Sequence, residues 1–91
     1  MDIEELIRAV REENLERPIL YGAGRPRAEA AVLERHGSEW RVFVSNERGG
    51  VAGNTLETFD NESDALTRVL EKARQGTKYH RALAERARSQ E

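Results

Sequence analysis

The stretch that decides the fold is WRVFVSNERGG, residues 40–50, where a run typical of a β-strand gives way to a pair of glycines. β-branched and aromatic residues favour the pleated surface of a sheet. Successive side chains of a strand point to opposite faces, so Trp40, Val42 and Val44 share one face and Phe43 lies on the other. We therefore predict a central strand with one face packed against helices.

The turn candidate after this strand is Glu47-Arg48-Gly49-Gly50. A glutamate and an arginine together could supply a base and an anion clamp. Two glycines between strands, however, also provide the positive φ angles that a turn needs. We interpret the segment as the bend of a hairpin with exposed charges, and Glu47 and Arg48 as residues that could form a salt bridge or contact a partner.

Two further strands are predicted around the central one. Ala30 to Arg35 has helix-forming residues, but HGSE at 36–39 is a turn cluster, and the central strand needs a hydrogen-bonding neighbour. Asn54 to Phe59 follows the glycine-rich loop as the third strand. These segments predict a three-stranded antiparallel meander.

Helices are predicted on both sides of the meander. Apolar residues recur at helical spacing from residue 2 to about 15, Asp2 can cap the first turn, and Pro18 stops the helix. Asp60 or Asn61 can cap a second helix that runs to Gly76, and Thr77 can cap a further one. Residues 17–27 are predicted as loop, with a brief strand at Ile19 to Tyr21.

The length of 91 residues predicts one domain, residues 1–91, of the α+β class with the order α-β-β-β-α. Residues 77–91 are expected to form an extra helix or a frayed end. The chain has no cysteine, its start MDIEELIRAV carries acids where a secretory signal carries positive charge, and no apolar run could span a bilayer. We expect a cytoplasmic protein that does not contact membranes.

Charge is distributed unevenly, although the net charge is only −2. Residues 57–64 contain four acids and no base, whereas residues 68–88 contain seven bases and two acids. The acidic segment could meet a basic partner, or could serve only helix capping and solubility. The basic segment could touch nucleic acid, but a solvated helix face explains it as well, and the low net charge disfavours a dedicated nucleic-acid binder.

Patterns typical of catalysis or of ligand binding are missing from the sequence. Gly22-Ala23-Gly24 with Arg25 and Arg27 could form an anion nest, but it lacks phosphate-loop spacing. His36 and His80 have no metal-ligand spacing, and no serine lies in a nucleophile motif. We expect no enzyme activity, no cofactor or metal, and no small-molecule substrate.

Part of the chain resembles small immunity proteins of bacterial polymorphic-toxin systems. The resemblance covers roughly residues 30–74 and is carried by W40-R-V-F-V-S-N-E47-R48-G49, by F59-D-N-E62 and by A65-L66 at the start of a helix. VAGN after Gly49 and the extension 77–91 depart from the family pattern. Such proteins bind and neutralise a cognate toxin, and they are not enzymes.

The resemblance implies a stoichiometric inhibitor of a cognate toxin, but it names no particular toxin. The acidic segment 57–64 could meet a basic toxin such as a nuclease. Trp40 and Phe59 would be core or anchor residues. The candidate contact residues are Glu47, Arg48, Glu57, Asp60, Glu62 and Asp64. The alternative is a small nucleic-acid-binding or regulatory module that uses the basic C-terminal helix.

Overall fold

The structure, a computed structural model, describes residues 1–23 and 27–89. It confirms the α+β class, with a helix at each end of the chain and a sheet between them. The elements in chain order are α1 (Ile3–Glu12), β1 (Ile19–Leu20), β2 (Ala31–His36), β3 (Glu39–Val44), β4 (Glu57–Phe59) and α2 (Glu62–Ser89). Neither described helix combines the length and the apolar character that a membrane crossing requires.

The sheet has the order β1-β2-β3-β4. Strands β2, β3 and β4 form the predicted antiparallel meander, with Arg35 opposite Trp40 and Trp40 opposite Phe59. The short strand anticipated at Ile19 is present as β1, which pairs parallel to β2 and places Ile19 opposite Val32. Because β1 is parallel to β2, the sheet is mixed. The same pairing brings residue 21 to the end of the sheet that holds the turn between β2 and β3.

The main core lies between one face of the sheet and the two helices. As predicted, one face of β3 packs against the helices. The structure shows that it is the face of Val42, which is fully buried together with Leu33 of β2. Their buried partners are Leu6, Ala31, Ala65, Leu66, Val69, Leu70 and Ala73. A smaller buried cluster on the opposite face contains Ile19, Ala30, Val32 and Phe43. Packing of α2 on the strands is therefore the main apolar contribution to stability.

Helix α1 begins as predicted, because the carboxylate of Asp2 accepts a hydrogen bond from the backbone of Glu5 at 2.8 Å. It ends at Glu12, about three residues earlier than expected. Asn14 has a φ of 52°, and the backbone N–H of Leu15 donates to the carbonyl of Val10. A residue in the left-handed region closes a helix before any proline is reached.

Helix α2 is a single helix of 28 residues and not two. Its N-cap is Asn61, whose Oδ1 accepts from the backbone of Asp64 at 2.9 Å. The sequence suggested a break at Gly76 and a new cap at Thr77. Instead, Thr77 is buried and its hydroxyl accepts from the backbone of Glu16 at 3.0 Å, so a tertiary contact replaces the expected capping role.

Strand β4 begins at Glu57, later than the predicted Asn54. The physical reason is Thr55, whose hydroxyl accepts the backbone N–H of Val44 at 3.0 Å and donates to the carbonyl of Ala52 at 2.8 Å. The Thr55 hydroxyl thus takes the hydrogen bond of the Val44 N–H, a backbone group that a longer β4 would have used for strand pairing. The 45–56 connection is consequently held to β3 by side-chain bonds.

Candidate functional site

The turn after β3 is organised by Asn46. Its Oδ1 accepts the backbone N–H groups of Arg48 and Gly50, both at 2.9 Å, and Gly49 has a φ of 83°. The side chains of Glu47 and Arg48 are exposed, and neither forms a hydrogen bond or an ion pair with another described residue. The hairpin-bend interpretation is confirmed, while a contact role for the two charges stays a prediction.

Glu57 is engaged inside the molecule. Its Oε2 lies 2.6 Å from Nε of Arg68 and 3.3 Å from Nζ of Lys72, whose side chain is buried. The hydrogen bond from Arg68 lowers the pKa of Glu57, and the Lys72 ammonium lowers it further. Glu57 therefore joins β4 to α2, which the local sequence did not reveal.

The three remaining acidic candidates surround the start of α2 in different ways. Asp64 accepts a hydrogen bond from Nδ2 of Asn61 at 3.0 Å and so takes part in the cap. Glu62 accepts from the hydroxyl of Tyr21 at 3.3 Å. Asp60 is exposed and has no hydrogen bond or ion pair to the rest of the described chain. Negative charge at this helix N-terminus is favourable, because the backbone N–H groups there carry partial positive charge.

Three aromatic side chains lie beside these acids. Trp40 and Phe59 are neighbours in the β3–β4 register and partly buried, as expected for core or anchor residues. Tyr21 meets Trp40 edge to face, with ring centroids 6.1 Å apart, and it is 47% exposed. Cζ of Arg35 lies 5.4 Å from the centroid of the Trp40 ring. Offset and edge-to-face contacts of this kind fix ring orientation.

Tyr21 and Arg35 were not among the site residues predicted from the sequence. Tyr21 reaches Trp40 only because β1 pairs with β2, a long-range contact that has no local signal in so short a strand. Partial burial raises the pKa of Tyr21, and the Glu62 carboxylate raises it further, so the phenol stays a hydrogen-bond donor.

We call this group the aromatic–acidic end. Its members are Tyr21, Arg35, Trp40, Phe59, Asp60 and Glu62. Tyrosine, tryptophan and arginine are the residue types that most often contribute large binding energies in protein interfaces. With carboxylates next to them, such a surface can contact a basic protein through apolar area and charge together.

The opposite part of α2 is fastened to the segment that follows α1. Glu13 binds Arg74 through two hydrogen bonds of 2.8 and 2.6 Å, and Arg81 donates to the carbonyl of Asn14 at 2.8 Å. The imidazole of His80 lies between two carboxylates, with Nδ1 at 2.6 Å from Glu16 and Nε2 at 2.5 Å from Glu29. The bond to Glu29, followed by that to Glu16, raises the pKa of His80.

We call residues 13–16 the strap, and the contacts that α2 makes with it are the strap contacts. They involve several bases of the stretch that the sequence offered for nucleic-acid binding. Arg68 and Lys72 are likewise paired with Glu57. Lys78 and Arg88 are exposed and form no hydrogen bond or ion pair with other residues in the described ranges. Only part of the basic stretch is therefore free of internal partners.

The other sequence candidates do not converge on a site. Gly24 and Arg25 of the suggested anion nest lie outside the described residues, and Arg27 contributes its carbonyl to the hydroxyl of Ser45. Ser45 is fully buried. Within residues 1–23 and 27–89, no three histidine or carboxylate side chains are placed to hold one metal ion.

Comparison with protein-family models, curated proteins and solved structures finds no match to this chain.

Proposed function

We propose that this chain is a protein-binding inhibitor of the immunity type, which neutralises a cognate toxin by stoichiometric association. The observation that carries the proposal is the aromatic–acidic end, where the exposed Tyr21 contacts Trp40 and Glu62. Asp60, which directly follows Phe59, adds an exposed carboxylate. The resemblance of residues 30–74 to immunity proteins supports the same function.

The mechanism is occlusion of a basic surface. A toxin that acts on nucleic acid presents lysine and arginine around its active groove, because that groove has to attract phosphate. Carboxylates on the inhibitor speed the encounter and select this surface, while the aromatic side chains supply buried contact area. The inhibitor needs no reaction of its own and acts from the cytoplasm of the producing cell.

Co-expression with the product of the adjacent upstream gene tests the proposal. We expect that product to stop growth when expressed alone and to be harmless when this chain is present, and the two proteins should co-purify. Expression of Tyr21→Ala with Asp60→Lys should fail to rescue growth, whereas Arg88→Ala should rescue fully. The proposal is wrong if the upstream product is harmless alone or stays toxic despite this chain.

A nucleic-acid-binding module remains the second candidate, favoured by one observation. Tyr79 is 56% exposed and neighbours Lys78 on the outer half of α2. A base can stack on an exposed aromatic ring while a neighbouring ammonium contacts phosphate. Titration with a single-stranded oligonucleotide should then show affinity that falls steeply with salt and with Lys78→Ala. A flat titration at low salt excludes this function.

A further inference from the structure

We propose that the groove between α1 and β1 is a second docking surface, which takes an acidic amphipathic helix from a partner protein. The groove shares no residue with the aromatic–acidic end. The inference therefore does not depend on the function proposed above.

The groove has the size and lining of a binding site. Its volume is about 500 Å³, within the range of roughly 300–1,000 Å³ that is usual for binding pockets. Ile7, Val10, Leu15 and Leu20 contribute apolar walls. Ile7 is 46% exposed although it lies next to the fully buried Leu6. An exposed isoleucine that lines a cleft is apolar area that a partner can remove from water.

Charge identifies the partner as acidic. Arg11 and Arg17 are the charged residues that line the groove. Their guanidinium groups form no hydrogen bond or ion pair with any residue in the described ranges, unlike the nearby Arg74 and Arg81. The acids of α1 do not line the groove. Guanidinium groups next to an apolar cleft favour carboxylates, which they can bind through two parallel hydrogen bonds.

The backbone favours a helix over an added strand as the occupant. Strand β1 is at the edge of the sheet, but the carbonyl of Leu20 already accepts the N–H of Ala23 at 3.0 Å. That bond occupies one backbone carbonyl of β1, and β1 has only two residues, so little edge is left for a new strand to pair with. Binding in the groove therefore depends on side-chain contacts. An amphipathic helix can insert apolar side chains at regular spacing and present carboxylates on either side of them.

Selection from a random peptide library, displayed on phage in segments of about 15 residues or roughly four helical turns, tests this inference on the intact chain. We expect enriched peptides with aliphatic residues at helical spacing and with aspartate or glutamate beside them. Their affinity, measured by fluorescence anisotropy with the synthetic peptide, should fall about tenfold or more on Arg11→Gln with Arg17→Gln. Added salt should weaken it as well.

Arg8→Gln is the matched control, because Arg8 is an exposed arginine of the same helix that does not line the groove. It should leave peptide affinity unchanged, and thermal unfolding should verify that all variants fold. The inference is overturned if no peptide is enriched, or if enriched peptides are basic or bind the double variant equally well. It is also overturned if sedimentation shows self-association that the double variant abolishes, since the occupant would then be a second copy.

Discussion

The strap contacts, made by the middle of α2, and the aromatic–acidic end, at the start of α2, use their polar side chains in different ways. At the strap contacts, Glu13, Glu16 and His80 all have partners within the molecule. At the aromatic–acidic end, Asp60 has no hydrogen bond or ion pair to the described part of the chain, and Tyr21 is half exposed. Polar groups at the strap contacts join distant parts of the fold, whereas the aromatic–acidic end keeps at the surface a half-exposed phenol and a carboxylate that is unpaired within the described ranges.

This difference changes how the sequence charges are interpreted. Residues 57–64 form one acidic run, yet Glu57 binds Arg68 and Lys72 while Asp60 stays in water. A run of like charges in a sequence is therefore not one surface. Each charge has to be assigned by what its side chain contacts, and exposed pairs contribute little to stability.

Substitution at the aromatic–acidic end should give the largest effect, and it should appear in toxin binding. Tyr21→Ala with Asp60→Lys removes an exposed aromatic anchor and reverses a charge. We expect a loss of roughly 100-fold in affinity for the cognate toxin, measured by calorimetry. Arg74→Ala, which breaks a strap contact, should leave affinity within about twofold. Equal losses of affinity from both variants would contradict the contrast between the strap contacts and the aromatic–acidic end.

Removal of Glu57 should give the next largest effect, on folding. Glu57→Ala leaves the ammonium of Lys72, a residue that is only 8% exposed, without its carboxylate. We expect the free energy of unfolding in urea to fall by about 2 kcal/mol, a value reduced for the partial exposure of Glu57. Glu71→Ala, which removes an exposed partner of Arg68, should cost about 0.5 kcal/mol or less. A loss of toxin affinity without a loss of stability would show that Glu57 belongs to the contact surface.

The strap contacts predict a smaller, pH-dependent effect. The pKa of His80 is raised above its ordinary 6.5 by Glu29 and Glu16, so its stabilising contribution is complete below 6.5 and is lost as pH rises through the folded-state pKa. His80→Gln should therefore cost more stability at about pH 6 than at about pH 9 in urea unfolding.

This pH window is distinct from the acidic one. The hydrogen bond from Arg74 lowers the pKa of Glu13 below 4.5, and the bond from Arg68 lowers that of Glu57. Contributions from these carboxylates to stability are present above pH 4.5 and are lost only at lower pH.

A stability difference for His80→Gln that is constant across neutral pH would mean that His80 acts only by packing.

The smallest effect is expected at Gly76, where the two halves of α2 meet. A Cβ added there would have the carbonyl oxygen of Glu29 as its nearest neighbour, at an ordinary distance of 3.9 Å. Gly76→Ala should raise the free energy of unfolding by about 0.5–1 kcal/mol, because alanine loses less conformational entropy in a helix. Destabilisation would indicate that the approach of residue 29 to α2 tolerates no side chain.

The sequence predicted what short-range patterns determine. Alternation predicted that one face of β3 packs against the helices, and helical spacing identified α1. Asp60 and Asn61 were the predicted caps of α2, and the structure shows that Asn61 is the one that caps it. The glycine pair 49–50 forms the predicted turn. Each of these features depends on residues within a few positions of one another, which is why one sequence suffices.

Long-range contacts account for what was not predicted. The parallel pairing of Ile19 with Val32 brings Tyr21 into contact with Trp40. No sequence pattern near residue 21 predicts this contact. Similarly, Thr77 looked like a helix cap because only its local context was visible, whereas its hydroxyl binds the distant Glu16. Such pairs have no spacing rule, so they were found only in the folded chain.

The uninterrupted course of α2 has a practical consequence for measurement. At 1.5 Å per residue, its 28 residues extend about 42 Å from Glu62 to the outer end. A fluorophore on the exposed Ala84 would therefore lie far from a toxin bound at Tyr21. The continuous helix α2 would hold the fluorophore at a fixed distance from that site. The efficiency of energy transfer from a labelled toxin to that position would give the distance between the two labels, and so the orientation of the toxin, without altering the contact surface.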